Sequence, residues 1–341
     1  MRILVDILHP AHVHFFRNYI AAADERGDEV FVTSREKDVT TVLLDAYGIP
    51  HQTISHQGSG SGGLVAEWAA RTPRLLGLAR RFDPDVFIGI MGVSIAPVAR
   101  LLRRPSAVFY DTEVAKRTNS MVYPMATAVV TPDCYEGARR RNQITYPGYH
   151  ELAYLHPNRF TPDRRVLTEF GIEPDAPYSI VRFVGQDSSH DGGEIALGHD
   201  RKVLLVRELE RLGRVVVSSE SSLPPEIADH RLTGPLDKVH HVLAFATTCV
   251  GESATMATEA AVLGTSSVFI GQTSRGYVDE LAERYQLIDR FTPGELNAAL
   301  SAATSGITTD ESSERADRHG QMLKEKVDVT AWMTTFMERY R

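Results

Sequence analysis

Residues 251–265 read GESATMATEAAVLGT, and this stretch decides the fold class of the chain. It follows a short apolar strand at Thr248–Val250 and precedes a second one at Ser267–Ile270. The small and hydroxyl-bearing residues Ser253–Met256 open an alanine-rich helix that ends at Gly264. Such a turn presents backbone N–H groups and the positive end of the helix dipole, which together bind anions. The alternative is an ordinary capped helix packed closely on its sheet.

Strand and helix patterns alternate on both sides of this stretch. The N-terminal half begins with a strand at Ile3–Leu8 and a helix at Phe15–Arg26. Alternation of this kind is typical of βαβ units around a parallel sheet buried on both faces. It breaks between Pro147 and Pro177, a segment with five prolines, and resumes with a strand at Tyr178–Val184. The pattern therefore predicts two consecutive α/β halves joined by a connector.

The chain length supports two domains, because 341 residues are too many for one ordinary hydrophobic core. We predict an α/β fold with two Rossmann-like parallel-sheet domains facing a cleft. The predicted division is a first domain at 1–150, a linker at 151–177, a second domain at 178–311 and a helical tail at 312–341. Trp332 and Phe336 are the expected anchors of that tail.

Charge and cysteine content exclude several classes of function. The net charge is −7 and no run of five basic residues occurs, so no nucleic-acid partner is expected. The clusters Arg139–Arg141 and Arg100–Arg104 are read as solvated helix ends or as faces toward an acidic ligand or a membrane surface. Cys134 and Cys249 have no metal-ligand spacing, so we expect no metal site and a reducing compartment. Without a signal-peptide pattern or a long apolar run, the expected location is cytoplasmic, with peripheral membrane contact left open.

The loops that follow strands carry the candidate site, because open parallel sheets bind ligands at the carboxyl ends of their strands. The first loop places His9, His12 and His14 within six residues. Histidine titrates near neutral pH, so His12 and His14 are predicted as acid or base groups and His9 as a substrate-binding residue. Their alternative role is capping of the helix that follows.

Two further loops of the first half hold candidate residues. Gln57–Gly63 is glycine-rich without the lysine of a P-loop, and it is read either as an anion cradle or as a mobile loop over the acceptor site. Asp111 and Glu113 stand two residues apart at the end of a strand. They are predicted as catalytic carboxylates, with N-capping by Asp111 as the alternative.

The second half supplies the predicted ligand-binding residues. The loop Arg182–Gly193 is rich in glycine and small polar groups that suit a diphosphate, and Arg182 is a candidate phosphate donor. Glu259 falls one turn into the helix after Gly251, where its carboxylate can hold ribose hydroxyls. The predicted donor-binding set, besides His9, is Arg182, Ser188, His190, Gly251, Glu252, Ser253, Ala254, Thr255, Met256 and Glu259.

Gly251–Thr265 with the following strand resembles the donor-site signature of GT-B glycosyltransferases. The nearest comparisons are the N-acetylglucosaminyltransferase of peptidoglycan precursor synthesis and the non-hydrolysing UDP-N-acetylglucosamine 2-epimerases. The resemblance implies that Ser253–Thr255 contact a diphosphate and that Glu259 binds the ribose. The opening Asp6–Phe16, DILHPAHVHFF, looks like that of a prokaryotic family of unknown function placed near the GT-B superfamily.

This resemblance implies transfer of a sugar from a nucleoside-diphosphate sugar, with UDP as the expected nucleotide, to an unidentified acceptor that is either lipid-linked or a glycan. No cofactor is expected, because helix-end dipoles and Arg182 would neutralise the leaving group in place of an obligatory metal. One alternative is a nucleotide-sugar 2-epimerase that uses Asp111 and Glu113, although the chain lacks the Arg-Pro-Glu opening of that family. The other alternative is a catalytically silent protein that senses a nucleotide sugar.

Overall fold

The computed structural model describes residues 1–58, 60–113, 115–185, 196–273, 275–308 and 312–341. The chain folds as two compact units. Unit 1 contains Met1–Tyr154 and Val327–Arg341, and unit 2 contains Leu155–Lys326. Each unit is built around one parallel sheet, so each has a hydrophobic core of its own.

Twelve strands are present in the described part of the chain. They are β1 (Arg2–Ile7), β2 (Glu29–Glu36), β3 (His51–His56), β4 (Val86–Ile90), β5 (Ser106–Phe109), β6 (Ala128–Pro132), β7 (Gln143–Tyr146), β8 (Tyr178–Phe183), β9 (Arg214–Ser219), β10 (Thr248–Gly251), β11 (Ser266–Ile270) and β12 (Ile288–Phe291).

The α-helices of the described residues alternate with these strands. They are α1 (Pro10–Glu25), α2 (Thr40–Ala46), α3 (Gly60–Phe82), α4 (Ile95–Leu102), α5 (Lys116–Val122), α6 (Leu152–Leu155), α7 (His199–Glu210), α8 (Val239–Phe245), α9 (Ala254–Val262), α10 (Gly276–Glu283), α11 (Leu296–Thr308), α12 (Ser312–Glu325) and α13 (Val329–Met337).

The sheet of unit 1 has the strand order β3-β2-β1-β4-β5-β6-β7, and its pairings are all parallel. Its central strands β1 and β4 have no solvent exposure at Ile3, Leu4, Val86, Phe87 and Ile88. They read as continuous apolar runs because helices cover both faces. The chain winds outward from β1 to β3 and then returns to β4. The switch point therefore lies between β1 and β4, and their carboxyl ends mark the ligand-binding edge.

The sheet of unit 2 has the order β12-β11-β10-β8-β9, again with parallel pairings. The chain passes from β8 to β9 on one side and then to β10 on the other, so the switch point lies between β8 and β10. Val181, Val250 and Val268 from three adjacent strands are buried with Leu205 of α7 on one face. The loops after β8 and β10 form the corresponding ligand-binding edge.

The unit boundaries differ from the predicted division at both ends of unit 2. A 3₁₀ helix at Arg164–Phe170 buries Leu167 and Phe170 in the core of unit 2, so the proline-rich segment belongs to that unit. The predicted tail is divided, with α12 in unit 2 and α13 in unit 1. The aromatic rings of α13 explain its place, because the Trp332 ring packs against Tyr146 at a centroid distance of 5.1 Å.

Two local predictions also need correction. Strands β7 and β12 were not predicted, because both have only four residues, lie at sheet edges and contain polar side chains. The predicted glycine-rich loop is largely helical, since α3 begins at Gly60. Pro73 lies inside α3, which continues through it to Phe82.

Candidate active site

The start of α1 places the first histidine loop at the end of β1. His9 is the N-cap residue, and its Nδ1 accepts a hydrogen bond from the Ala11 N–H at 3.2 Å. Pro10 occupies the first helical position, where its missing N–H costs nothing. His9 therefore has the capping role that was the alternative to substrate binding, and its binding role stays a prediction.

His12 is held in one neutral tautomer. The Leu8 N–H donates to His12 Nδ1 at 3.2 Å, so the ring proton of the neutral imidazole is on Nε2. Burial lowers the pKa of His12 well below its usual value, and the charges of His9, His150 and Lys37 lower it further. The residue is only 7% exposed. This arrangement suits a hydrogen-bond donor through Nε2 better than the predicted proton acceptor.

His14 packs among aromatic rings on the next turn of α1. Its Nδ1 lies 3.3 Å from the Tyr47 hydroxyl, and its ring stacks on Tyr154 at a centroid distance of 5.3 Å. The Arg17 guanidinium lies 4.6 Å above the Tyr47 ring. These contacts give His14 a packing role in unit 1, and its catalytic role stays a prediction.

Asp111 forms the main polar contact at the end of β5, and its partner was not predicted. Asp111 Oδ2 lies 3.0 Å from His150 Nδ1, and Asp111 Oδ1 accepts a hydrogen bond from the Thr112 hydroxyl at 2.9 Å. A carboxylate accepts only, so His150 donates through Nδ1 and its Nε2 carries the lone pair when the ring is neutral. This is the carboxylate–imidazole arrangement of a general base.

The environment of His150 favours that chemistry. The residue is 7% exposed, and its ring centroid lies 4.3 Å from the Phe15 ring on α1. His150 Nε2 is buried and has no hydrogen-bond partner among the described residues. A buried polar nitrogen is normally paired, so an unpaired one indicates a place for a ligand group or an ordered water. The signal in the sequence is a histidine four residues after β7, which was overlooked because β7 itself was not predicted.

Glu113, the second predicted carboxylate, stabilises a loop. Its Oε1 accepts a hydrogen bond from the backbone N–H of Glu136 at 3.1 Å, beyond β6. The structure thus brings Asp111 into contact with His150. The catalytic role of Glu113 stays a prediction.

A buried charge network joins α3 to the strands of the unit 1 sheet. The Arg71 guanidinium of α3 contacts the Asp6 carboxylate of β1, and both side chains are nearly unexposed. Arg71 also donates to the Ser34 carbonyl at 3.1 Å and to the Ser55 hydroxyl at 2.6 Å. Glu67, one turn earlier, accepts from Ser55 at 2.8 Å. These bonds attach α3 rigidly to β1, β2 and β3.

In unit 2 the strand–turn–helix motif has the geometry expected of an anion site. Ser253 is the N-cap of α9, and its hydroxyl accepts from the Met256 N–H at 3.3 Å. Ala254 and Thr255 form the first turn, whose N–H groups have no partner within the helix. A Cβ on Gly251 would lie 2.1 Å from the Arg182 carbonyl oxygen. Glycine is therefore required at 251 for close packing of β10 on β8.

The acidic residues of this motif have protein partners. Glu252 is 6% exposed, and its carboxylate accepts from the backbone N–H groups of Leu197 at 2.5 Å and Val184 at 3.4 Å. It thereby fastens both ends of the loop between β8 and α7. Glu259 Oε1 lies 3.0 Å from Nε2 of the buried His240 on α8. His240 orients the Glu259 carboxylate, a contact that the sequence pattern did not predict.

Arg182 lies in β8 beside the switch point, already paired with protein groups. It donates to the Ser218 hydroxyl at 2.9 Å and to Glu220 Oε1 at 2.5 Å. Glu220 also accepts from the Gly185 N–H at 3.2 Å. A phosphate would have to share Arg182 with Glu220, so its role as a phosphate donor stays a prediction. Ser188 and His190 lie outside the described residues.

None of the helices in the described ranges combines the length and the apolar character that a bilayer crossing requires.

The chain belongs to the family described as "Protein of unknown function (DUF354)", whose sequence model matches residues 1–282. This confirms the resemblance predicted from the opening motif. A curated relative, the uncharacterized protein MJ0665 of Methanocaldococcus jannaschii, is 25% identical over 186 residues. The match covers 52% of this chain and 54% of the relative, so the chain spans about half the length of the curated protein it matches.

Solved structures of similar fold cover almost the whole chain. A UDP-GlcNAc 2-epimerase from Neisseria meningitidis bound to UDP-GlcNAc has a TM-score of 0.68 at 11% identity, covering 95% of this chain and 98% of its own. The Streptomyces glycosyltransferase SsfS6 with thymidine diphosphate has a TM-score of 0.64 at 14% identity, and the match covers 99% of both chains. MurG of Acinetobacter baumannii has a TM-score of 0.61 at 14% identity, and the match covers 99% of this chain and 100% of MurG. These similarities confirm the predicted fold, two Rossmann-like parallel sheets of the GT-B type.

Proposed function

We propose that this member of the DUF354 family is a glycosyltransferase that moves a sugar from a nucleoside diphosphate to an acceptor hydroxyl. The observation that carries the proposal is the Asp111–His150 pair, with its buried and unpartnered Nε2. An imidazole oriented by a carboxylate removes a proton from a hydroxyl group, which is the step that an acceptor alcohol requires.

The proposed reaction is a single displacement at the anomeric carbon of the sugar. The acceptor oxygen forms a bond to the anomeric carbon of the sugar, and the bond from that carbon to the diphosphate oxygen breaks. The acceptor proton moves to His150 Nε2, and the imidazolium is stabilised by Asp111. The neutral His12 supplies a hydrogen bond through Nε2 and takes no part in proton removal at neutral pH.

Unit 2 would bind the donor. The similar SsfS6 structure holds thymidine diphosphate and the similar Neisseria epimerase holds UDP-GlcNAc. In this chain the first turn of α9 at Ser253–Thr255 offers N–H groups and a positive dipole end to a diphosphate leaving group. Glu259, oriented by His240, would accept hydrogen bonds from the ribose hydroxyls. UDP is the nucleotide that the resemblance of this segment favours.

The test combines binding and turnover on the full chain. Calorimetric titration with UDP, TDP and GDP shows which nucleotide binds, and NMR then follows the corresponding nucleotide sugars with and without added alcohols. We expect slow release of the nucleoside diphosphate with water as acceptor and faster release with an accepted alcohol. His150→Asn should lower this rate by about 10²–10⁴-fold with nucleotide affinity unchanged.

A matched control and three other outcomes make the test decisive. His51→Asn changes a histidine at the start of β3, on the other edge of the same sheet, and should leave the rate unchanged. Formation of a sugar epimer without free nucleoside diphosphate would assign the epimerase activity instead. Binding without any turnover would assign the sensor role. Failure of every nucleotide to bind would overturn the proposal.

A further inference from the structure

A recess of about 690 Å³ lies in unit 2 at the start of β9. The first half of β9, Arg214, Val215 and Val216, lines it. Donor binding in unit 2 was placed at the carboxyl ends of the strands, whereas this recess is at the amino end of β9. It is therefore separate from the donor edge, and we call it the β9 recess.

The two walls of the β9 recess stand on opposite faces of the sheet. Val215 is buried together with Leu209 of α7 and with Ile227 of the 3₁₀ helix at 225–230. Val216 is buried together with Phe170 on the other face. Successive residues of a strand point to opposite faces, so an α7 wall and a Phe170 wall flank the edge of β9.

The edge of β9 is open between these walls. β9 pairs with β8 on one side, and on its other side the Val217 carbonyl accepts from the Leu232 N–H at 2.8 Å. In a parallel strand every second residue turns its N–H and C=O to the same side, so those of Val215 also point away from β8. No strand of the described ranges covers them. The recess therefore offers peptide groups to a ligand.

The α7 wall offers acceptors for a cationic group. Glu210 is already paired, with Arg207 at 2.7 Å and with His230 Nε2 at 3.1 Å. A carboxylate accepts only, so the neutral His230 ring has its proton on Nε2 and a lone pair on Nδ1. Nδ1 is buried without a hydrogen-bond partner among the described residues, which indicates a place for a donor. Asp229 lines the same recess and has no partner in the described part of the chain.

The Phe170 wall offers the opposite charge. Arg214 donates to the Gly171 carbonyl, and within the described ranges it has no carboxylate partner. Glu169, beside Phe170, is paired with Lys238 at 2.8 Å. The Arg214 guanidinium has five N–H donors, so it can still bind an anionic group of a ligand.

This arrangement favours a molecule with both charges over a simple ion. Among the described residues of the recess, no three carboxylate, imidazole or thiol groups lie close enough to share one metal ion. An anion alone would leave Asp229 unpaired, and a cation alone would leave Arg214 without a carboxylate. The volume falls within the range of about 300–1,000 Å³ that is typical of small-molecule sites.

We propose that the β9 recess binds a small zwitterion of the amino-acid type, either a free amino acid or a short peptide. The ammonium group of the ligand lies at Asp229 and His230 Nδ1, and its carboxylate lies at Arg214. A peptide ligand also pairs its amide with the open N–H and C=O of Val215.

A ligand screen on the full chain tests this proposal. Saturation-transfer NMR with pools of the common L-amino acids and of dipeptides finds the ligand and distinguishes the two sources, and calorimetry gives its Kd. Acetylation of the ligand's ammonium group or amidation of its carboxylate should raise the Kd tenfold or more. Asp229→Asn should raise the Kd of the unmodified ligand by the same factor but not that of the acetylated one. Arg214→Gln should show the same relation to the amidated ligand.

Matched variants and simple ions complete the experiment. Asp175→Asn and Arg211→Gln change exposed charges of unit 2 outside the recess and should leave the Kd unchanged. Absence of binding by every pool would overturn the proposal, as would a Kd that neither Arg214→Gln nor Asp229→Asn alters. Inorganic phosphate or putrescine binding more tightly than any zwitterion would assign the recess to a simple ion instead. Displacement of the ligand by UDP would place it at the donor edge and also overturn the proposal.

Discussion

Removal of the Arg71 charge should destabilise unit 1 strongly, since Arg71 and Asp6 form a buried ion pair. In Arg71→Met the methionine keeps much of the stem but leaves the Asp6 carboxylate with the Thr33 hydroxyl at 2.7 Å as its remaining side-chain donor. Breaking one side of a buried pair costs about 3–5 kcal/mol. For a unit of this size each kcal/mol corresponds to about 2–4 °C, so the melting temperature should fall by roughly 10 °C.

Tryptophan fluorescence measures this change in unit 1 alone, because Trp68 and Trp332 both belong to it. Arg74→Met is the matched control one turn along α3. Arg74 is exposed and donates to the Ile54 carbonyl at 2.9 Å, so its loss should cost under about 1 kcal/mol.

The double variant Asp6→Asn with Arg71→Met should melt above Arg71→Met, because no buried charge is left unpaired. The reasoning is refuted if Arg71→Met melts within about 2 °C of the parent chain, or if the double variant is no more stable than the single one.

Two further predictions concern titration and donor binding. Burial lowers the pKa of His12, so below about pH 6.5 the unfolded chain takes up a proton that the folded chain does not. Unit 1 therefore loses stability as the pH falls below about 6.5, and His12 contributes no change in stability above that pH. His12→Asn, whose amide oxygen can still accept from the Leu8 N–H, should flatten the fluorescence melting profile between pH 7.5 and 5.0; a profile parallel to that of the parent chain would contradict this. Glu259→Gln should weaken nucleoside diphosphate binding by about 10–100-fold in calorimetry and leave pyrophosphate binding unchanged, because only the ribose contact is lost. Glu283→Gln on the exposed side of α10 is its control, and equal losses for both variants would contradict the assignment.

The fold was readable from the sequence because its strongest signals are local. Apolar runs such as Ile3–Leu8 and Tyr178–Val184 predict buried parallel strands, and the break between them predicts two sheets. The GESATMATEAAVLGT stretch specified its strand, turn and helix by spacing alone, and Ser253 is the N-cap of the resulting helix. What the sequence could not provide is the return of α13 to unit 1, because that depends on Trp332 meeting Tyr146 across the chain.

Only one residue of the Asp111–His150 pair could be predicted from the sequence, for the same reason. Asp111 follows a recognisable strand, and the rule that sites follow strands selected it. His150 follows β7, a four-residue edge strand with the sequence QITY that carries no distinctive pattern. The three histidines of the first loop attracted the prediction by their number, yet His9 and His12 accept backbone N–H groups at the start of α1. Two of the three clustered histidines therefore contact the backbone at the start of α1, and the Asp111–His150 contact joins residues that follow two separate strands.

The same limit applies to α3, because a helical stripe of apolar residues does not show which of its members are exposed to solvent. Leu64, Trp68, Leu75 and Ala79 follow one helical stripe, and a stripe alone predicts that all four are buried. The strands beneath α3 have five to eight residues and α3 has 23, so the first half of the helix extends past the carboxyl ends of the strands. Arg71 sits at the transition and fixes the helix to the sheet at that point. Loss of the Arg71 charge should therefore loosen the attachment of α3 to the sheet and lower the stability of unit 1, whereas loss of Arg74 should have little effect.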